Sequence, residues 1–432
     1  MANTLGKNSR HALPRKNRAP LAALLPALAM LCFSFGIAPG AQAATFPVTK
    51  IADTNDGACN ADCSLREAVR AANASVGVAD VINVPAGTYT LTIPGSTEDA
   101  AATGDLDITD TVTINGGGSA NTIIQSGTNN ANGIDKVFSV NQTATSNASA
   151  TFNGVTVRFG RNTNPVDLVN FSHLGAGIDF FGTSGTLSSC GSEQLTITNS
   201  VITDNTVANT VSPGVGAGVS ADNGDLVITN STISKNKTTN QFGGGITHIG
   251  GGCQLIMTDS TVSNNEAHGG ANGEGGGIFV RQNVNGTVEI HNSIISNNTS
   301  ESRGGGIKLE STPGPLTATI DQQTVIFGNT SLGTGPGISE GGGVDISTLG
   351  AGSTTTLKDV TITGNHADDP ADGGGRGGGI FLNLGTLNVS LSRITGNTAP
   401  MGSGLFGLRA RPQPRTTGGA ATVFRVPLAV TL

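Results

Sequence analysis

Apolar and polar residues alternate in short runs along this chain, and one arrangement of them returns seven times between Leu195 and Asn397. Each copy has an alternating apolar segment, a short turn, a second apolar segment and an asparagine, as in Leu195-Thr-Ile-Thr-Asn-Ser-Val-Ile-Thr-Asp-Asn205, and a glycine run follows. Alternation of period two predicts β-strands. Recurrence at about 30 residues predicts a solenoid, in which each coil buries its apolar face against its neighbours.

An asparagine ends each copy. Because stacked parallel coils place equivalent residues above one another, these side-chain amides can hydrogen-bond from coil to coil. We therefore predict a structural ladder of Asn205, Asn236, Asn265, Asn298, Asn329, Asn365 and Asn397. A third strand is predicted after each glycine run, for example at Gly277-Ile278. The copy that ends at Asn329 has one extra residue, which predicts a bulge.

The N-terminal region differs from the repeats. Basic residues up to Arg18 precede an apolar run from Leu21 to Ala38 and the small residues Ala41-Gln-Ala43, a pattern typical of a cleaved export signal. No later segment is long and apolar enough to span a bilayer, so we expect an exported protein, extracellular or associated with the outer membrane or cell surface. The predicted divisions are a signal peptide (1–43), an N-terminal cap with the first coil (44–92), a parallel β-helix (93–404) and an atypical tail (405–432).

A short helix is predicted in the cap. Ser64-Leu-Arg-Glu67 has the form of a capping box, in which the serine and glutamate side chains each accept a hydrogen bond from the other residue's backbone N–H. Apolar residues between Leu65 and Ala72 then fall on one helical face. Such a helix covers the open end of a solenoid. Capping therefore explains Arg66 and Glu67 better than catalysis does.

Three N-terminal motifs carry a family resemblance. Cys63-Ser-Leu-Arg-Glu-Ala68, Pro85-Ala-Gly-Thr-Tyr-Thr-Leu91 and Gly104-Asp-Leu-Asp-Ile-Thr109 resemble the N-terminal region of CSLREA-domain proteins. The glycine and asparagine repeats resemble, more weakly, those of chlamydial polymorphic outer-membrane proteins. The first resemblance extends over most of residues 44–404 and implies an exported bacterial protein with a right-handed parallel β-helix of the pectin-lyase-like type. It implies no catalytic residues.

The repeat pattern stops after Gly404. Residues 405–432 contain four arginines and no Asn, Asp or Glu. We hypothesise that this tail results from a frame shift or truncation that removed a C-terminal cap or anchor, and the alternative is a divergent cap. If the hypothesis holds, another reading frame of the coding DNA past Gly404 encodes further coils with Gly and Asn, and it fails if no frame does.

Four cysteines follow the predicted signal. Cys59 and Cys63 are close enough in sequence to form a disulfide in the cap, because export permits disulfides. Cys190 and Cys253 precede equivalent strands two coils apart, about 9.6 Å at the spacing of stacked strands, which exceeds disulfide reach without a loop excursion. We do not expect this second pair to be bonded, although the pairing stays open. The spacing of Cys and His predicts no metal site.

The strand after each glycine run offers a candidate binding face. With the first residue of the strand inward, the second and fourth point outward. Outward residues of successive coils include two Phe and several charges, namely Phe279, Arg281, Lys308, Glu310, Asp345 and Phe381. The alternative is that loops cover the Phe rings and the charges pair across coils.

Net charge and amino-acid composition limit the kinds of partner that this chain is expected to bind. The chain has 23 Lys and Arg against 30 Asp and Glu, a net charge of −7, and loss of the basic signal would lower this to about −12. Nucleic-acid binding needs clustered cations, so no nucleic-acid partner is expected. Its 64 Gly residues and its lack of Trp exclude an ordinary helical core.

Catalysis is the less favoured interpretation. Lyases and hydrolases on such a fold need several convergent carboxylates, and Lys308, Glu310 and Asp345 are only weak catalytic candidates. Asp53-Thr-Asn-Asp-Gly57 hints at calcium but is one residue short of the usual loop, and no other cofactor is predicted. The histidines after the signal share no metal-binding spacing, and we interpret them as loop or surface residues.

We therefore expect a non-catalytic, all-β, exported bacterial protein. It would bind a host or cell-surface protein or glycan along its side, or serve in structural display. The alternatives are a polysaccharide lyase or glycoside hydrolase acting on acidic polysaccharide, and a purely structural stalk. The oligomeric state and the identity of any ligand are left open by the sequence.

Overall fold

Four sheets form the walls of a solenoid, and their strands are parallel except for the last strands of two of them. Successive coils contribute strands to these sheets in the same order along the chain. The computed structural model describes residues 42–96, 98–142, 147–163, 175–183, 189–208, 216–334, 339–347, 349–368, 374–407, 422–424 and 428–431. The predicted all-β parallel solenoid with a short helix is confirmed in these ranges. No helix in them is long and apolar enough to cross a membrane. Residues 1–41, nearly all of the predicted signal peptide, lie outside them.

Sheets 1 and 2 contain the two strands of the repeated motif. The twelve strands of sheet 1 are Thr45–Pro47, Asp80–Val84, Val112–Gly116, Ala150–Asn153, Gln194–Thr198, Asp225–Thr229, Gln254–Thr258, Gly286–His291, Leu316–Asp321, Thr354–Lys358, Thr386–Ser390 and Leu428–Thr431. The eleven strands of sheet 2 are Gly87–Thr90, Thr122–Gln125, Thr156–Arg158, Val201–Thr203, Thr232–Ser234, Thr261–Ser263, Ile294–Ser296, Val325–Phe327, Thr361–Thr363, Ser392–Thr395 and Thr422–Phe424.

Sheet 4 follows sheet 2 in each coil. From Arg161 to Ala367 a short sheet 3, which was not predicted, lies between them along the chain. Its seven strands have two residues each, and all but the first begin directly after a ladder asparagine: Arg161–Asn162, Thr206–Val207, Lys237–Thr238, Glu266–Ala267, Thr299–Ser300, Thr330–Ser331 and His366–Ala367. The ten strands of sheet 4, which follow the glycine runs, are Leu106–Ile108, Phe138–Val140, Ile178–Phe181, Val219–Asp222, Ile246–Gly250, Ile278–Gln282, Ile307–Ser311, Val344–Ile346, Ile380–Leu382 and Leu405–Gly407. One 3₁₀-helix, Gly270–Asn272, lies between these sheets.

One continuous apolar core fills the solenoid. Alternate residues of sheets 1, 2 and 4 point into it, so that a single coil contributes Leu226, Ile228, Ile233 and Ile246 with no exposed surface. Each apolar side chain stacks on its counterparts in the adjacent coils, because the strands pair in register. Burial of such a side chain stabilises the fold by about 1.5–3 kcal/mol.

Asparagine side chains stack beside sheet 3 and join the coils, at the positions given above for the ladder. Each amide Nδ2 donates to the Oδ1 of the next asparagine over 2.9–3.0 Å. Asn298 also donates to Val262 O, and its Oδ1 accepts from both the backbone N–H and Nδ2 of Asn265. With its bond to Asn329, this amide makes four hydrogen bonds at zero exposure, as burial of a polar group requires.

The glycines of each run are needed for different reasons. Gly275 has a φ of +66°, which other residues rarely adopt. A Cβ on Gly276 would lie 2.4 Å from the carbonyl oxygen of Thr299, and one on Gly277 would lie 2.9 Å from Nδ2 of Asn298. The glycine run therefore lets sheet 4 begin directly against the asparagine ladder.

A second ladder, of hydroxyl groups, was not predicted. The backbone N–H of Ser231 donates to Ser260 Oγ, and that of Ser260 donates to Ser293 Oγ, over 3.1 and 3.2 Å. These serines lie in the turn between sheets 1 and 2. The extra residue before Asn329 also lies in this turn, where Gln322 and Gln323 both have positive φ, so the predicted bulge is an enlarged turn.

The cap has the predicted helix, α1, at Leu65–Asn73. Ser64 Oγ accepts from the backbone N–H of Glu67, and Glu67 Oε2 accepts from that of Ser64, over 3.1 and 2.7 Å. Arg66 is fully buried and donates to both carboxylate oxygens of Asp53 and to three backbone carbonyls. Cys59 and Cys63 form a disulfide with their Cα atoms 4.4 Å apart. These residues hold the end of the solenoid together.

Cys190 and Cys253 also form a disulfide, with their Cα atoms 5.0 Å apart. The expectation that they stay unbonded is wrong, because the loop before Gln194–Thr198 rises toward the next coil. There the Gly191 N–H donates to Asn223 O over 2.7 Å. This excursion shortens the two-coil separation assumed from the sequence.

The tail continues the fold. Leu405–Gly407 pairs in parallel with the preceding strand of sheet 4. Thr422–Phe424 and Leu428–Thr431 pair antiparallel with the last parallel strands of sheets 2 and 1. These pairings place described parts of the tail against the edges of the final coil, and both explanations of the tail stay open. Residues 408–421, 425–427 and 432 lie outside the described ranges, and the reading-frame hypothesis stays a prediction about the DNA.

Asn298→Ala is expected to destabilise the protein by about 3 kcal/mol or more, because several buried backbone and amide groups lose their partners. Asn230→Gly is the control: the residue lies in an exposed turn with a φ of +47°, which glycine adopts freely. We expect that control to change stability by less than about 0.5 kcal/mol. Guanidinium unfolding followed by circular dichroism measures both. Equal midpoints would show that the ladder adds no particular stability.

Candidate functional site

The outer face of sheet 4 is the candidate site. Its strands pair in register, so that Phe279, Lys308, Asp345 and Phe381 stack in one row, and Arg281 pairs with Glu310 in the next. Both predicted rows are therefore present. Residues between the two rows, such as those at 280 and 309, belong to the apolar core. The rows thus lie on the side of the sheet away from the core.

This face is not an open surface. Phe279 and Phe381 have no exposed area. The Phe242 ring stacks on Phe279 with 4.5 Å between centroids, and Phe406 stacks on Phe381 at 5.9 Å. Arg281 lies over the first pair, 4.9 Å from the Phe242 centroid and 5.1 Å from that of Phe279. The expected exposed aromatic face is corrected, because Phe279 is stacked against Phe242 from the preceding coil and Phe381 against Phe406, its partner on the next strand of sheet 4, and neither ring is exposed.

The predicted charges pair with one another. Lys308 Nζ donates to Asp345 Oδ1 over 2.7 Å and also donates to Ser347, and neither member of the ion pair has exposed side-chain surface. Arg281 Nε donates to Glu310 Oε1 over 2.9 Å. Both pairs connect adjacent strands, which is the alternative given above for this face. Asp345 Oδ2 has no hydrogen-bond partner among the described residues.

A row of alternating charge borders the face and was missed in the sequence. Glu274, Arg303, Glu340 and Arg376 each precede a glycine run, in successive coils. Arg303 Nε lies 3.0 Å from Glu340 Oε2, and Arg376 Nη1 lies 3.3 Å from Glu340 Oε1. The sequence contains the pattern that would have predicted this row, because the residue before Gly-Gly-Gly is in turn Glu, Arg, Glu and Arg. Parallel stacking converts that order into a ladder of opposite charges.

The Lys308 cluster comprises Glu274, Arg303, Lys308, Glu310, Glu340 and Asp345. Burial lowers the pKa of Lys308, but Asp345 and the other carboxylates outweigh this and raise it above its ordinary value. Burial raises the pKa of Glu274. Burial, reinforced by Asp345, raises the pKa of Glu340 to about 7. Glu340 could therefore donate a proton near neutral pH, but its side chain is only 6% exposed.

A second buried cluster lies toward the N-terminal end of the same face. The Lys136 cluster comprises Asp105, Asp107, Asp135, Lys136, Asp179 and Asp222, all buried. Lys136 Nζ donates to Gln142 over 2.8 Å and lies 3.3 Å from Asp179 Oδ2 and 3.8 Å from Asp105 Oδ2. Only the fold brings this lysine to carboxylates from different coils.

One lysine does not neutralise five carboxylates. Burial, with the charge on Asp105, raises the pKa of Asp107 to about 9 and that of Asp135 to about 7. Burial also raises the pKa of Asp222 well above its ordinary value. The cluster therefore holds protons at neutral pH.

The loop that hinted at calcium uses its oxygens within the protein. Asp53 accepts from Arg66 and from the backbone N–H groups of Thr92 and Ile93. Asn55 Nδ2 donates to a backbone carbonyl, and Asp56 Oδ1 accepts from the N–H two residues later. The loop thus forms part of the cap around Arg66.

His248 is placed in sheet 4 and points into the core, so its interpretation as a surface residue is wrong. It is fully buried, and burial lowers its pKa to about 4. Its Nε2 lies 3.0 Å from Gly224 O, and its Nδ1 lies 3.1 Å from Gln282 Nε2. This neutral histidine fills one core position. His173 lies outside the described residues.

No family model, no curated protein and no solved structure matches this chain. The fold class therefore rests on the geometry of the chain itself. A parallel β-solenoid fits a structural or surface protein and equally a protein that acts on polysaccharide.

Lys308→Met is expected to destabilise the protein by about 3–5 kcal/mol, because Asp345 would stay buried without its cation. Adding Asp345→Leu should recover much of this loss, since both charges are then gone. Lys237→Met is the control, because the Lys237–Glu266 pair is almost half exposed and such pairs contribute about 0.2–1 kcal/mol. Denaturant unfolding of the unmodified chain, Lys308→Met, Asp345→Leu and the double variant completes the double-mutant cycle, and Lys237→Met is measured beside them. A fully stable Lys308→Met chain would contradict the buried ion pair.

Stability is expected to fall as the pH rises from 6 to 9.5. Because the pKa values of Asp107 and Asp135 are raised in the folded protein, the folded chain binds more protons than the unfolded chain over this range, and the free energy of unfolding decreases with pH. The stabilisation is complete only at a pH below the ordinary carboxyl pKa. Melting temperatures at each pH test this, and Asp107→Asn should flatten the alkaline part of the curve. A flat profile for the unmodified chain would refute it.

Proposed function

We propose that this chain is an exported, non-catalytic parallel β-solenoid whose role is structural display at a bacterial surface. The observation that carries the proposal is the closed outer face of sheet 4. Its aromatic rings are covered, and its charges are used in bonds between coils. A face built this way stiffens the solenoid and offers a ligand little access.

Continuous side-chain ladders support the same role. Asparagines, serines and the alternating Glu and Arg row each join adjacent coils. Opening one coil would therefore expose amides and charges that now have protein partners, which is costly. Resistance to local opening is what a display element outside the cell needs, because proteolysis acts on opened chain.

A partner would bind the outward faces of sheets 1 and 2. These faces present rows of hydroxyl-bearing side chains, such as Thr317 and Thr354 on neighbouring strands, with partial or full exposure. Shallow polar contacts of this kind suit a host or cell-surface protein or a glycan. Adhesion thus remains a companion role of display, in which the closed face of sheet 4 takes no part.

The proposal includes export of the chain and its relationship to a family of β-helix proteins. The N-terminal basic and apolar pattern supports cleavage near Ala44, and the two structural disulfides suit an oxidising compartment. The capping box and buried Arg66 give the Cys63–Ala68 motif a physical role at the end of a solenoid. They support placing the chain with CSLREA-type, pectin-lyase-like β-helices.

A polysaccharide lyase or hydrolase is the second candidate, and one observation favours it. Glu340, with a pKa of about 7, lies beside Arg303 and near Lys308 and Asp345, so that a proton donor and fixed cations meet in one cluster. A catalytic role would need the covering segments to move aside. In that case Glu340 would serve as the general acid.

Both candidates are tested on the full chain expressed in a bacterial host. Sequencing the N-terminus of protein from the medium and the cell envelope should show a chain that begins at Ala44. That protein is then incubated with acidic and neutral polysaccharides, with and without calcium. We expect no new reducing or unsaturated ends.

Product formation that is lost in Glu340→Gln, but kept in Lys237→Met, would establish an enzyme and overturn the display proposal. Glu340→Gln preserves size and removes the proton that the hydrolase alternative needs. Because it also removes the ion pairs with Arg303 and Arg376, circular dichroism of the variant must first show that it is folded at the assay temperature. An intact N-terminus in the cytoplasm would overturn export.

A further inference from the structure

Three side chains on another wall of the solenoid bring metal-ligand atoms together. The Sγ atoms of Cys190 and Cys253 and a carboxylate oxygen of Asp225 all lie within 4.8 Å of one another. Cys190 Sγ is 3.5 Å from Asp225 Oδ1. Cys253 is fully buried, whereas the other two are half-buried. The group is thus anchored in the protein and open to solvent on one side.

Backbone bonds, and not only the disulfide, hold these residues in place. Asp225 begins one strand of sheet 1, and its backbone N–H donates to Glu193 O over 3.0 Å. Cys253 directly precedes the next strand, and its carbonyl accepts from Thr287 N over 3.1 Å. The loop with Cys190 is fixed by the Gly191 N–H bond described above. Three consecutive coils therefore keep the ligand atoms close when the sulfurs are not bonded.

We propose that reduction of the Cys190–Cys253 disulfide creates a binding site for a thiophilic divalent cation such as Zn²⁺, with Cys190, Cys253 and Asp225 as ligands. The solenoid would then exchange a covalent cross-link between coils for a metal cross-link. This inference is independent of the display role and of the outer face of sheet 4.

A dithiol is the reductant in the proposed reaction. The dithiol gives two electrons and two protons to the disulfide and becomes a cyclic disulfide itself, which leaves two free thiols. Zn²⁺ then displaces both thiol protons, and two Zn–S bonds form at about 2.3 Å with a Zn–O bond at about 2.0–2.2 Å. Water takes the fourth position. Tetrahedral geometry separates the sulfurs by about 3.7 Å, which side-chain rotation provides at a Cα separation of 5.0 Å.

The other disulfide provides a contrast. Cys59 and Cys63 belong to no such three-ligand group in the described part of the chain. Their replacement therefore removes competing thiols and leaves the proposed site intact. Cys32, in the predicted signal, is replaced for the same reason.

The test uses the full chain with Cys32→Ser, Cys59→Ser and Cys63→Ser. The protein is reduced with dithiothreitol, freed of reductant under argon and titrated with Cd²⁺, whose thiolate charge-transfer absorption reports sulfur ligands. We expect one equivalent to bind and Zn²⁺ to displace it. Cys253→Ser should abolish the absorption, and Asp225→Asn should weaken binding about tenfold or more. The oxidised protein should show no absorption.

Thermal unfolding gives a second measurement. Zn²⁺ should raise the melting temperature of the reduced background chain and leave that of the oxidised chain unchanged. Absence of a charge-transfer band, a band that persists in Cys253→Ser, or a background chain that is folded when oxidised but unfolded when reduced and free of metal would each overturn the proposal. Equal affinity in Asp225→Asn would also overturn it as stated, because the carboxylate would then not be a ligand.

Discussion

Stacking of parallel strands in register is the constraint on which the rest of this structure depends. Coils repeat at about 4.8 Å, so a residue chosen once per repeat becomes a continuous column. Apolar residues then form one core, and asparagines form a ladder in which every buried amide is satisfied. Glycine is required where sheet 4 meets that ladder, because a Cβ would collide with Asn Nδ2 or with a backbone carbonyl. Stability is thus shared among columns and is not concentrated in one centre.

At the outer face of sheet 4, the same stacking buries charged side chains close to one another, which is unfavourable unless they are paired or protonated. Stacking brings charged side chains as close together as apolar ones, and the segments above them remove water. In the Lys308 cluster, Glu340 lies within ion-pair distance of both Arg303 and Arg376, and Lys308 pairs with Asp345, so ion pairs join acids and bases across strands. Burial still raises the pKa of Glu340 to about 7. In the Lys136 cluster a single lysine faces five carboxyl groups, and burial raises the pKa of Asp107 to about 9. Ion pairs are therefore the main feature of the first cluster, and protonated carboxyl groups are the main feature of the second.

Closure of this face is the observation on which the proposed structural role rests. Pairing register alone would give a stripe of Phe, Lys, Arg and acidic residues, which resembles a binding surface. Phe242 and Phe406, however, lie on the rings of Phe279 and Phe381, and Lys308 has no exposed surface. Residues that look suited to a ligand are instead bound to one another. The solenoid is thereby favoured as a structural element with its hydroxyl-rich faces outward.

The sequence by itself determined the coils, the asparagine ladder, the capping helix and which residues share a row on sheet 4. These features follow from period, turn chemistry and the side-chain alternation of strands, which are local properties. Only the tertiary structure decided what lies above each row, because that depends on where loops of neighbouring coils fold. A loop excursion joined Cys190 to Cys253, alternation within sheet 4 turned His248 inward, and Lys136 met carboxylates from other coils. Sequence spacing describes a strand well, but it does not describe the path of a loop.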